Sequence, residues 1–202
     1  MAPDSVVFDV GNVLIHWDAR HLFRKLLPDE AAIDRFFEEV DFSAWNLEQD
    51  RGRSFADGIA HIDRHHPHHG PLARAYDLRW LEAVPGVIEG SVALLEKLRA
   101  AGVPLYAITN YSREKWADSV VRFPFLGQFR DVVVSAHERL VKPDPAIYQV
   151  LLARNGLAAG QCVFVDDSEK NVAAARAVGM HAVHFTSPDV LAAELRGMGF
   201  GV

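Results

Sequence analysis

The chain has 202 residues, of which half are apolar and 24% are charged, as in an ordinary globular protein. This length suffices for one hydrophobic core with a modest insertion. The net charge is -6, and the sequence contains no basic stripe, which argues against nucleic acid as a partner. The single cysteine, Cys162, excludes an internal disulfide framework and lies in an apolar run typical of a buried strand.

No apolar run in the sequence approaches the ~20 residues that a membrane-spanning helix needs, so no membrane partner is expected. The N-terminal segment lacks a basic stretch, and Asp9 interrupts its apolar residues, which is not typical of a secretory signal. We therefore predict a cytoplasmic location.

The first predicted strand covers residues 5–10, and no further strand pattern follows before residue 85. The intervening stretch instead carries helical patterns at residues 20–27, 30–40, 54–65 and 72–81. The dipeptide Pro85-Gly86 marks the end of this stretch. The pattern predicts a small all-helical insertion over residues 16–85, directly after the first strand.

Strands and helices alternate through the rest of the chain. Short apolar runs predict buried parallel strands at residues 103–108, 132–135 and 162–165, with a weaker one at 181–185. Helical patterns lie between them, at residues 90–101, 145–154 and 170–178. This alternation predicts an α/β fold with right-handed βαβ units and an open parallel sheet covered by helices on both faces, formed by residues 1–15 and 86–202.

Polar residues lie where the predicted strands end or shortly after, and in an open parallel sheet this edge binds ligands. They are Asp9, Thr109, Asn110, Lys142, Asp166 and Asp167. Taken singly, each has a simple structural explanation, as a turn residue, a helix cap or a surface lysine. Only their convergence at one edge points to chemistry.

Three carboxylates at one sheet edge repel one another unless a cation lies between them, and oxygen ligands of this kind suit Mg²⁺. The ammonium group of Lys142 and backbone N–H groups near Gly11 and Asn110 would then hold a phosphoryl group. The arrangement is typical of phosphoryl transfer with Asp9 as the nucleophile. It predicts a small phosphorylated substrate.

Four short motifs add to this interpretation: FDVGNVL at residues 8–14, Thr109-Asn110, KPDPAIY at residues 142–148 and VDDS at residues 165–168. Their order and spacing, across almost the whole chain, resemble subfamily I of the haloacid dehalogenase (HAD) superfamily. The resemblance implies a Rossmann-like core in which the helical insertion serves as a small, mobile cap domain. It also implies a hydrolase that acts on phosphate esters with Mg²⁺.

The resemblance assigns roles to the matching positions. Asp9 would attack phosphorus and form an aspartyl-phosphate, while Thr109 and Lys142 would hold phosphate oxygens. The implied Mg²⁺ ligands are Asp9, the backbone carbonyl of Gly11, Asp167 and, directly or through water, Asp166, with Asn171 beside them. The expected substrate-binding residues are Gly11, Asn12, Thr109, Asn110, Lys142, Trp45 and Arg51.

Gly11 departs from most phosphatases of the family, which have a second Asp there as general acid and base. The Gly-Asn form resembles a branch that includes sugar-1-phosphate phosphatases, notably an α-D-glucose-1-phosphate phosphatase. General acid catalysis typically contributes ~10²–10⁴-fold to the rate. We hypothesise that the leaving group departs easily, as an anomeric sugar oxygen does, or that water or another group such as His16 donates the proton.

Three other functions stay open. A 2-haloacid dehalogenase also uses an Asp nucleophile, but it needs no metal and typically has Tyr in place of Gly11 and serines in place of Asp166 and Asp167. Paired carboxylates without a metal would raise the pKa of Asp9 and impair it. A catalytically weakened phosphate-binding protein and a phosphomutase would share the motifs; intact Asp9, Lys142 and Asp167 weigh against the first, and Gly11 against the second.

Two segments of the insertion leave alternatives open. Residues 45–52 begin with Trp45 and end with Gly52, which predicts either a substrate-facing loop or an ordinary linking loop with a packed Trp. The histidine cluster predicts either a solvated loop or a Zn²⁺ or Ni²⁺ site, without matched ligand spacing to favour the metal. It comprises His61, His65, His66, His68 and His69. The sequence does not distinguish a monomer from a homodimer.

Overall fold

The computed structural model describes residues 2–202 and has at its centre a five-stranded parallel sheet with the strand order β3-β2-β1-β4-β5. The strands are β1 (Ser5–Phe8), β2 (Leu105–Thr109), β3 (Asp131–Val134), β4 (Cys162–Asp166) and β5 (His181–His184). All five agree with the predicted strands to within two residues at each end. Because β2 and β3 extend the sheet on one side of β1 and β4 and β5 on the other, the predicted Rossmann-like α/β fold is confirmed.

The three central strands are buried along their whole length, as continuous apolar runs predict. The register pairs Phe8 of β1 with Ala107 of β2 on one side and with Val165 of β4 on the other. The next residue of each strand lies at the same level, so Asp9 follows β1 beside Asp166. The backbone register alone thus places two of the predicted site residues side by side.

The predicted all-helical insertion follows β1, and residues 16–85 are called the helical insertion below. Its helices are α1 (Arg20–Phe23), α2 (Glu30–Glu39), α3 (Phe42–Asp50), α4 (Phe55–His65) and α5 (Gly70–Leu78), with 3₁₀ turns at Pro67–His69 and Trp80–Ala83. The helix predicted for residues 20–27 is shorter than expected, because the chain continues in turns after Phe23. The other predicted helices of the insertion are present.

Helix α3 occupies residues for which the sequence predicts a loop, and that prediction is wrong. The side chain of Asp41 caps the helix by accepting a hydrogen bond from the backbone N–H of Ala44. Trp45 and Gln49 are buried on its inner face, while most other positions are polar. Because this face spans only about two turns, its helical period is hard to recognise in the sequence.

An aromatic cluster packs the helices of the insertion against one another. Phe23 of α1 lies edge-on to Phe36 of α2 and stacks on Tyr76 of α5, with ring centroids 4.9 and 5.8 Å apart. Tyr76 also contacts Phe42 and Trp45 of α3, at 5.1 and 6.0 Å. Such pairs add to the large apolar area that each ring buries. The cluster therefore fixes the position of α3 within the insertion.

The remaining helices flank the sheet: α6 (Glu89–Ala100), α7 (Arg113–Arg122), α8 (Ser135–Glu138), α9 (Pro145–Asn155), α10 (Glu169–Val178) and α11 (Pro188–Gly197). The sequence predicts α6, α9 and α10 but not the other three. Helix α7 buries only Lys115 and Ser119, so no apolar stripe reveals it. Within residues 2–202, no helix has the length and apolar character that crossing a membrane requires.

Lys115 links the helical insertion to the rest of the molecule. Its side chain is only 7% exposed, and its Nζ donates hydrogen bonds to the backbone oxygen and the Oδ1 of Asp77, at 2.8 and 2.7 Å. The same Nζ lies 4.7 Å from the ring centre of Phe55, within the range of a cation–π contact. Since α7 carries Lys115 while α5 and α4 carry its partners, these contacts hold the insertion over the sheet edge.

We expect Lys115→Ala to lower the free energy of unfolding by roughly 1–3 kcal/mol, because charge-assisted hydrogen bonds and a packed side chain are lost. Urea unfolding measures this change. Lys97→Ala is the matched control, since Lys97 is exposed on α6; we expect a change below ~0.5 kcal/mol. Equal effects of the two substitutions would contradict a linking role for Lys115.

Candidate active site

The polar residues predicted at the strand ends meet at a cavity of about 330 Å³, between the carboxyl edge of the sheet and the helical insertion. Its floor, on the sheet side, is formed by Asp9, Gly11, Asn12, Thr109, Asn110, Tyr111, Ser112, Lys142, Asp167 and Asn171. Its roof, on the insertion side, is formed by Trp17, Phe42, Ser43, Asn46, Leu47, Asp50 and Trp80. The floor is mainly polar, whereas the roof mixes aromatic and polar side chains.

Asp9 is the first residue after β1, and its carboxylate is nearly buried. Its backbone N–H donates to the carbonyl oxygen of Val165 at 2.8 Å, which extends the sheet pairing by one residue. Its Oδ1 accepts a hydrogen bond from the backbone N–H of Val10 at 2.7 Å and lies 2.8 Å from the Nζ of Lys142. Within residues 2–202 nothing donates to its Oδ2. One oxygen of Asp9 is therefore held in place while the other is free.

Lys142 lies between two carboxylates. Its Nζ is 2.8 Å from Oδ1 of Asp9 and 2.6 Å from Oδ2 of Asp166, and its side chain is 1% exposed. Asn110 fixes the backbone of Lys142 by accepting from its N–H at 2.8 Å and donating to its carbonyl at 3.1 Å. Burial lowers the pKa of Lys142, but the two carboxylates outweigh burial and raise the pKa above its ordinary value. The ammonium group therefore stays charged at neutral pH.

Asp166 ends β4 and is completely buried. Its Oδ1 accepts hydrogen bonds from the N–H of Ser168 at 2.8 Å and from Nδ2 of Asn171 at 2.9 Å. Its Oδ2 accepts from Lys142 at 2.6 Å and from Asn171 at 3.1 Å. Both oxygens are thus occupied by donors. Asp166 holds Lys142 in position and has little remaining capacity to bind a metal ion directly.

Asp167, in contrast, has a carboxylate to which no described residue donates a hydrogen bond. Carboxylate oxygens of Asp9, Asp166 and Asp167 all lie within 4.8 Å of one another. One ammonium group faces these three carboxylates, so an excess of negative charge remains at the floor of the cavity. Hard oxygen donors with excess negative charge fit a divalent cation such as Mg²⁺.

Burial also raises the pKa of three carboxyl groups that face the cavity, those of Asp9, Asp50 and Asp167. For Asp9, burial together with Asp166 and Asp167 exceeds the lowering effect of Lys142 and raises the pKa to about 7. For Asp50, burial exceeds the lowering effect of Lys142 and raises the pKa to about 8. Without a cation, the cavity therefore favours protonated carboxyl groups over carboxylates.

Two other predicted residues shape the floor. Thr109 ends β2 and is almost fully buried at the cavity. Asn12 has a left-handed backbone with φ of 54°, which Asn tolerates better than most residues. Its Oδ1 accepts a hydrogen bond from the N–H of Trp17 at 2.9 Å. Asn12 therefore forms the turn that brings Trp17 to the cavity.

Three residues singled out in the sequence lie away from the cavity. Trp45 is buried inside the insertion, where its Nε1 donates to the carbonyl of Gly58 at 2.9 Å. Arg51 pairs with Glu48 at 2.8 Å at the surface, and His16 is exposed. Trp45 and Arg51, which the sequence predicts to bind substrate, therefore do not line the cavity, and neither does His16. Helix α3 directs other residues to the cavity, namely Phe42, Ser43, Asn46, Leu47 and Asp50.

Asp50 is the functional candidate that sequence reasoning missed. It is the last residue of α3, and it lines the cavity together with Phe42 and Asn46. These three residues are spaced four apart, as on one face of a helix. That spacing is the signal that could have identified Asp50, but it has meaning only once residues 42–50 are known to be helical.

The histidine cluster is separate from the cavity. Nε2 atoms of His68 and His69 lie 3.1 and 2.7 Å from Oε2 of Glu39. The three side chains form a group whose ligand atoms could hold a metal ion. The other three histidines of the cluster are not part of this group. A metal site there stays a prediction for His68 and His69.

The fold and the cavity define an α/β protein with a carboxylate-rich site at the carboxyl edge of its sheet. A family model described as haloacid dehalogenase-like hydrolase matches residues 3–179. The match covers most of the chain, so the protein belongs to the haloacid dehalogenase-like hydrolase family, as its motifs imply.

Several curated proteins are similar to this chain. A phosphoglycolate phosphatase from Rhodospirillum rubrum is 30% identical over 199 residues, which covers 90% of this chain and 78% of that protein. The sesquiterpene phosphatase astK from Aspergillus oryzae is 34% identical over 104 residues, which covers 52% of this chain and 53% of that protein. The chain spans about half the length, or less, of several curated relatives that it matches, astK among them.

Solved structures share the fold. A predicted HAD-like family hydrolase from Porphyromonas gingivalis superposes with a TM-score of 0.79 at 20% identity, covering 99% of this chain and 100% of that one. A HAD family enzyme from Bacteroides thetaiotaomicron, solved as a magnesium complex, gives a TM-score of 0.73 at 21% identity, covering 93% and 95%. At such identities the likeness shows the shared fold.

We expect Asp9→Asn to stabilise the metal-free protein at pH 8, because it removes a carboxylate from a site with excess negative charge. The pKa of Asp9 rises from near 4 when unfolded to about 7 when folded. Its ionisation therefore costs nothing below pH ~4 and destabilises the fold increasingly up to pH ~7, reaching a few kcal/mol in order of magnitude. Melting temperatures in EDTA measure this.

The advantage of Asp9→Asn over the wild type should shrink as the pH falls from 8 towards 5. Lys97→Ala, at an exposed residue of α6, is the control and should show no such pH-dependent difference. A variant that melts below the wild type at pH 8 in EDTA would contradict the charge excess described here.

Proposed function

We propose that this protein is a Mg²⁺-dependent phosphatase that hydrolyses a small phosphate monoester through an aspartyl-phosphate on Asp9. The observation that carries the proposal is the state of the Asp9 carboxylate, with one oxygen beside Lys142 and the other free at the cavity floor. A fixed, partly desolvated carboxylate with a free oxygen suits in-line attack on phosphorus. Relatives named as phosphatases support this choice within the family.

The residues that would hold Mg²⁺ are Asp9, Asp167 and the backbone carbonyl of Gly11. When bound, the ion would neutralise the excess carboxylate charge and the charge that develops on the transferring phosphoryl group. Asp166 acts indirectly, because its oxygens already accept hydrogen bonds and it holds Lys142. The magnesium complex of the structural neighbour from Bacteroides thetaiotaomicron agrees with this choice of ion.

Residues of this chain account for both chemical steps. Asp9 attacks phosphorus, and the bond from phosphorus to the alcohol oxygen of the substrate breaks. Lys142 and Thr109 bind the phosphoryl oxygens and keep phosphorus in line with Asp9. A water molecule then attacks the phosphorus of the aspartyl-phosphate, which releases inorganic phosphate and restores Asp9.

We propose that the helical insertion, residues 16–85, acts as a cap domain on a core of residues 1–15 and 86–202. Helix α3 and Trp80 supply the roof over Asp9. With the roof in place, bulk water is kept from the phosphoryl group and the leaving group is enclosed. Opening of the cap would admit the substrate and release the products.

The cavity favours an uncharged leaving group, such as a sugar. Among the described residues that line it, Lys142 is the only Lys or Arg, and its ammonium group is already engaged by Asp9 and Asp166. A second anionic group on the substrate would meet no cation in the roof and would face Asp50. Neutral hydroxyl groups, in contrast, suit a roof of aromatic and polar side chains. These roof residues are Trp17, Phe42, Ser43, Asn46 and Trp80.

Dehalogenation of a 2-haloacid is the weaker alternative. That reaction needs no metal, and three converging carboxylates without a cation would leave the nucleophile protonated near neutral pH. A haloacid also carries a carboxylate, for which the roof offers no cation among the described residues. Both points favour phosphate ester hydrolysis.

We expect phosphate release from neutral sugar or polyol phosphates in the presence of Mg²⁺ and its abolition by EDTA. The leaving group of phosphoglycolate carries a carboxylate. We therefore expect its kcat/KM to be at most about one tenth of the value for the best neutral substrate. Asp9→Asn should lower kcat by roughly 10³-fold or more, since the nucleophile is lost. A phosphate-release assay over a panel of phosphorylated metabolites measures all three.

Glu96→Gln, at a half-buried residue of α6 that pairs with Arg99 away from the cavity, is the control and should retain wild-type rates. Activity that survives EDTA, or halide release from 2-chloropropionate, would contradict the proposed phosphatase. Wild-type turnover by Asp9→Asn would show that another residue attacks phosphorus.

A further inference from the structure

The proposed mechanism lacks a group that protonates the departing alcohol oxygen. Gly11 stands where a second carboxylate would act, and a Cβ atom placed on it would have no heavy atom within 4 Å. Open space therefore lies beside Asp9 where a side chain could project. His16 is exposed and outside the cavity. The proton donor must come from another part of the cavity.

Among the described residues of the roof, Asp50 is the one that carries a carboxyl group. It is half-buried and lines the same cavity as Asp9. Its carboxyl group accepts one long hydrogen bond, 3.5 Å from Nδ2 of Asn46, and no cationic side chain of residues 2–202 lies within ion-pair distance. Neighbouring Glu48, in contrast, pairs with Arg51 at the surface. An acid turned towards a cavity without a cationic partner is available for proton transfer.

Two contacts hold the end of α3 against the sheet edge. The Oγ of Ser135, which follows β3, donates to the carbonyl oxygen of Asp50 at 2.6 Å and accepts from the N–H of Tyr111 at 2.9 Å. Gly52 has φ of 102°, and a Cβ there would lie 3.0 Å from the carbonyl oxygen of Ala136. Only Gly combines this conformation with so close an approach. The backbone that carries Asp50 is therefore fixed relative to the floor.

The groups that face Asp50 favour its protonated form. Burial raises the pKa of Asp50 to about 8, against the lowering effect of Lys142 and with a further rise from Asp9. Tyr76 and Tyr111, from α5 and from the loop after β2, also face Asp50; burial and this carboxyl raise their pKa, and neither brings a positive charge. A carboxyl group of this kind can donate a proton near neutral pH.

We propose that Asp50 is the general acid and base of the reaction, supplied by the helical insertion in place of the side chain that Gly11 lacks. The inference rests on the proposed phosphatase function and adds a catalytic residue to it. In this proposal, the contacts of Ser135 and Gly52 fix the position of the proton donor, Asp50. The donor is in place only when the insertion covers the cavity.

The proton transfers balance over the two steps. As Asp9 bonds to phosphorus, the bond from phosphorus to the alcohol oxygen breaks, and the carboxyl group of Asp50 gives its proton to that oxygen. Asp50 is then a carboxylate. Water next attacks the phosphorus of the aspartyl-phosphate and gives a proton to Asp50, while the bond from phosphorus to Asp9 breaks. Inorganic phosphate leaves, and both acids return to their starting states.

Asp50→Asn tests this role, because Asn keeps the shape of the side chain but does not transfer a proton. We compare a sugar phosphate, whose alkoxide leaving group needs a proton, with p-nitrophenyl phosphate, whose leaving group does not. We expect kcat to fall ~10²–10⁴-fold for the sugar phosphate. For p-nitrophenyl phosphate we expect fast release of one nitrophenolate per active site and then slow turnover, because only hydrolysis of the aspartyl-phosphate needs a base.

Glu48→Gln is the matched control, since Glu48 lies on the same helix outside the cavity. Glu48→Gln should give wild-type rates with both substrates and the wild-type time course of nitrophenolate release. Melting temperatures establish that both variants fold. Equal losses of Asp50→Asn on the two substrates without a burst would assign Asp50 to binding or structure and overturn the proposal. Wild-type rates on both would overturn it as well.

The panel separates this inference from the function on which it rests. If the wild type is active, Asp9→Asn is inactive and Asp50→Asn behaves as the wild type, only the role of Asp50 fails. If the wild type releases no phosphate from any ester with Mg²⁺, the phosphatase proposal fails, and the role of Asp50 fails with it.

Discussion

The ammonium group of Lys142, buried between Asp9 and Asp166, is the contact on which the rest of the site depends. Removing Lys142 would leave two buried carboxylates uncompensated, and a loss of this kind typically costs roughly 3–5 kcal/mol. Asn110 holds the backbone of Lys142 through two hydrogen bonds, and Asn171 donates hydrogen bonds to Asp166. The ends of β1 and β4 and the loop after β3 are thereby joined, and the carboxylate charge that Lys142 leaves unbalanced fits a divalent cation.

The sheet edge and the helical insertion divide the chemistry between them. The edge supplies the proposed nucleophile and the proposed phosphate-binding groups, all fixed by strand register and buried hydrogen bonds. The insertion supplies the roof and, in our proposal, the proton on Asp50. Lys115 and Ser135 join the two parts by contacts with Asp77 and Asp50. Proton transfer and enclosure of the leaving group therefore depend on the same placement of α3.

The sheet and its polar edge could be predicted from the sequence, because apolar runs identify parallel strands and Asp9, Thr109 and Asp166 follow from where those runs end. Helix α3 could not, because its buried face, formed by Phe42, Trp45 and Gln49, spans only about two turns, includes a polar residue and lies among polar neighbours. The expectation that Trp45 and Arg51 face the cavity and the omission of Asp50 have this one cause. Inward and outward positions of a segment are known only when its helical phase is known.

Trapping the aspartyl-phosphate tests the central claim, attack by Asp9, most directly. The enzyme is quenched in acid during turnover and then treated with borohydride. Borohydride reduces an aspartyl-phosphate to homoserine, and peptide mass spectrometry locates the modified residue. With p-nitrophenyl phosphate as the substrate, we expect homoserine at position 9 alone, in a larger fraction of molecules for Asp50→Asn than for the wild type. Modification at another carboxylate such as Asp167, or no modification during demonstrated turnover, would contradict nucleophilic attack by Asp9.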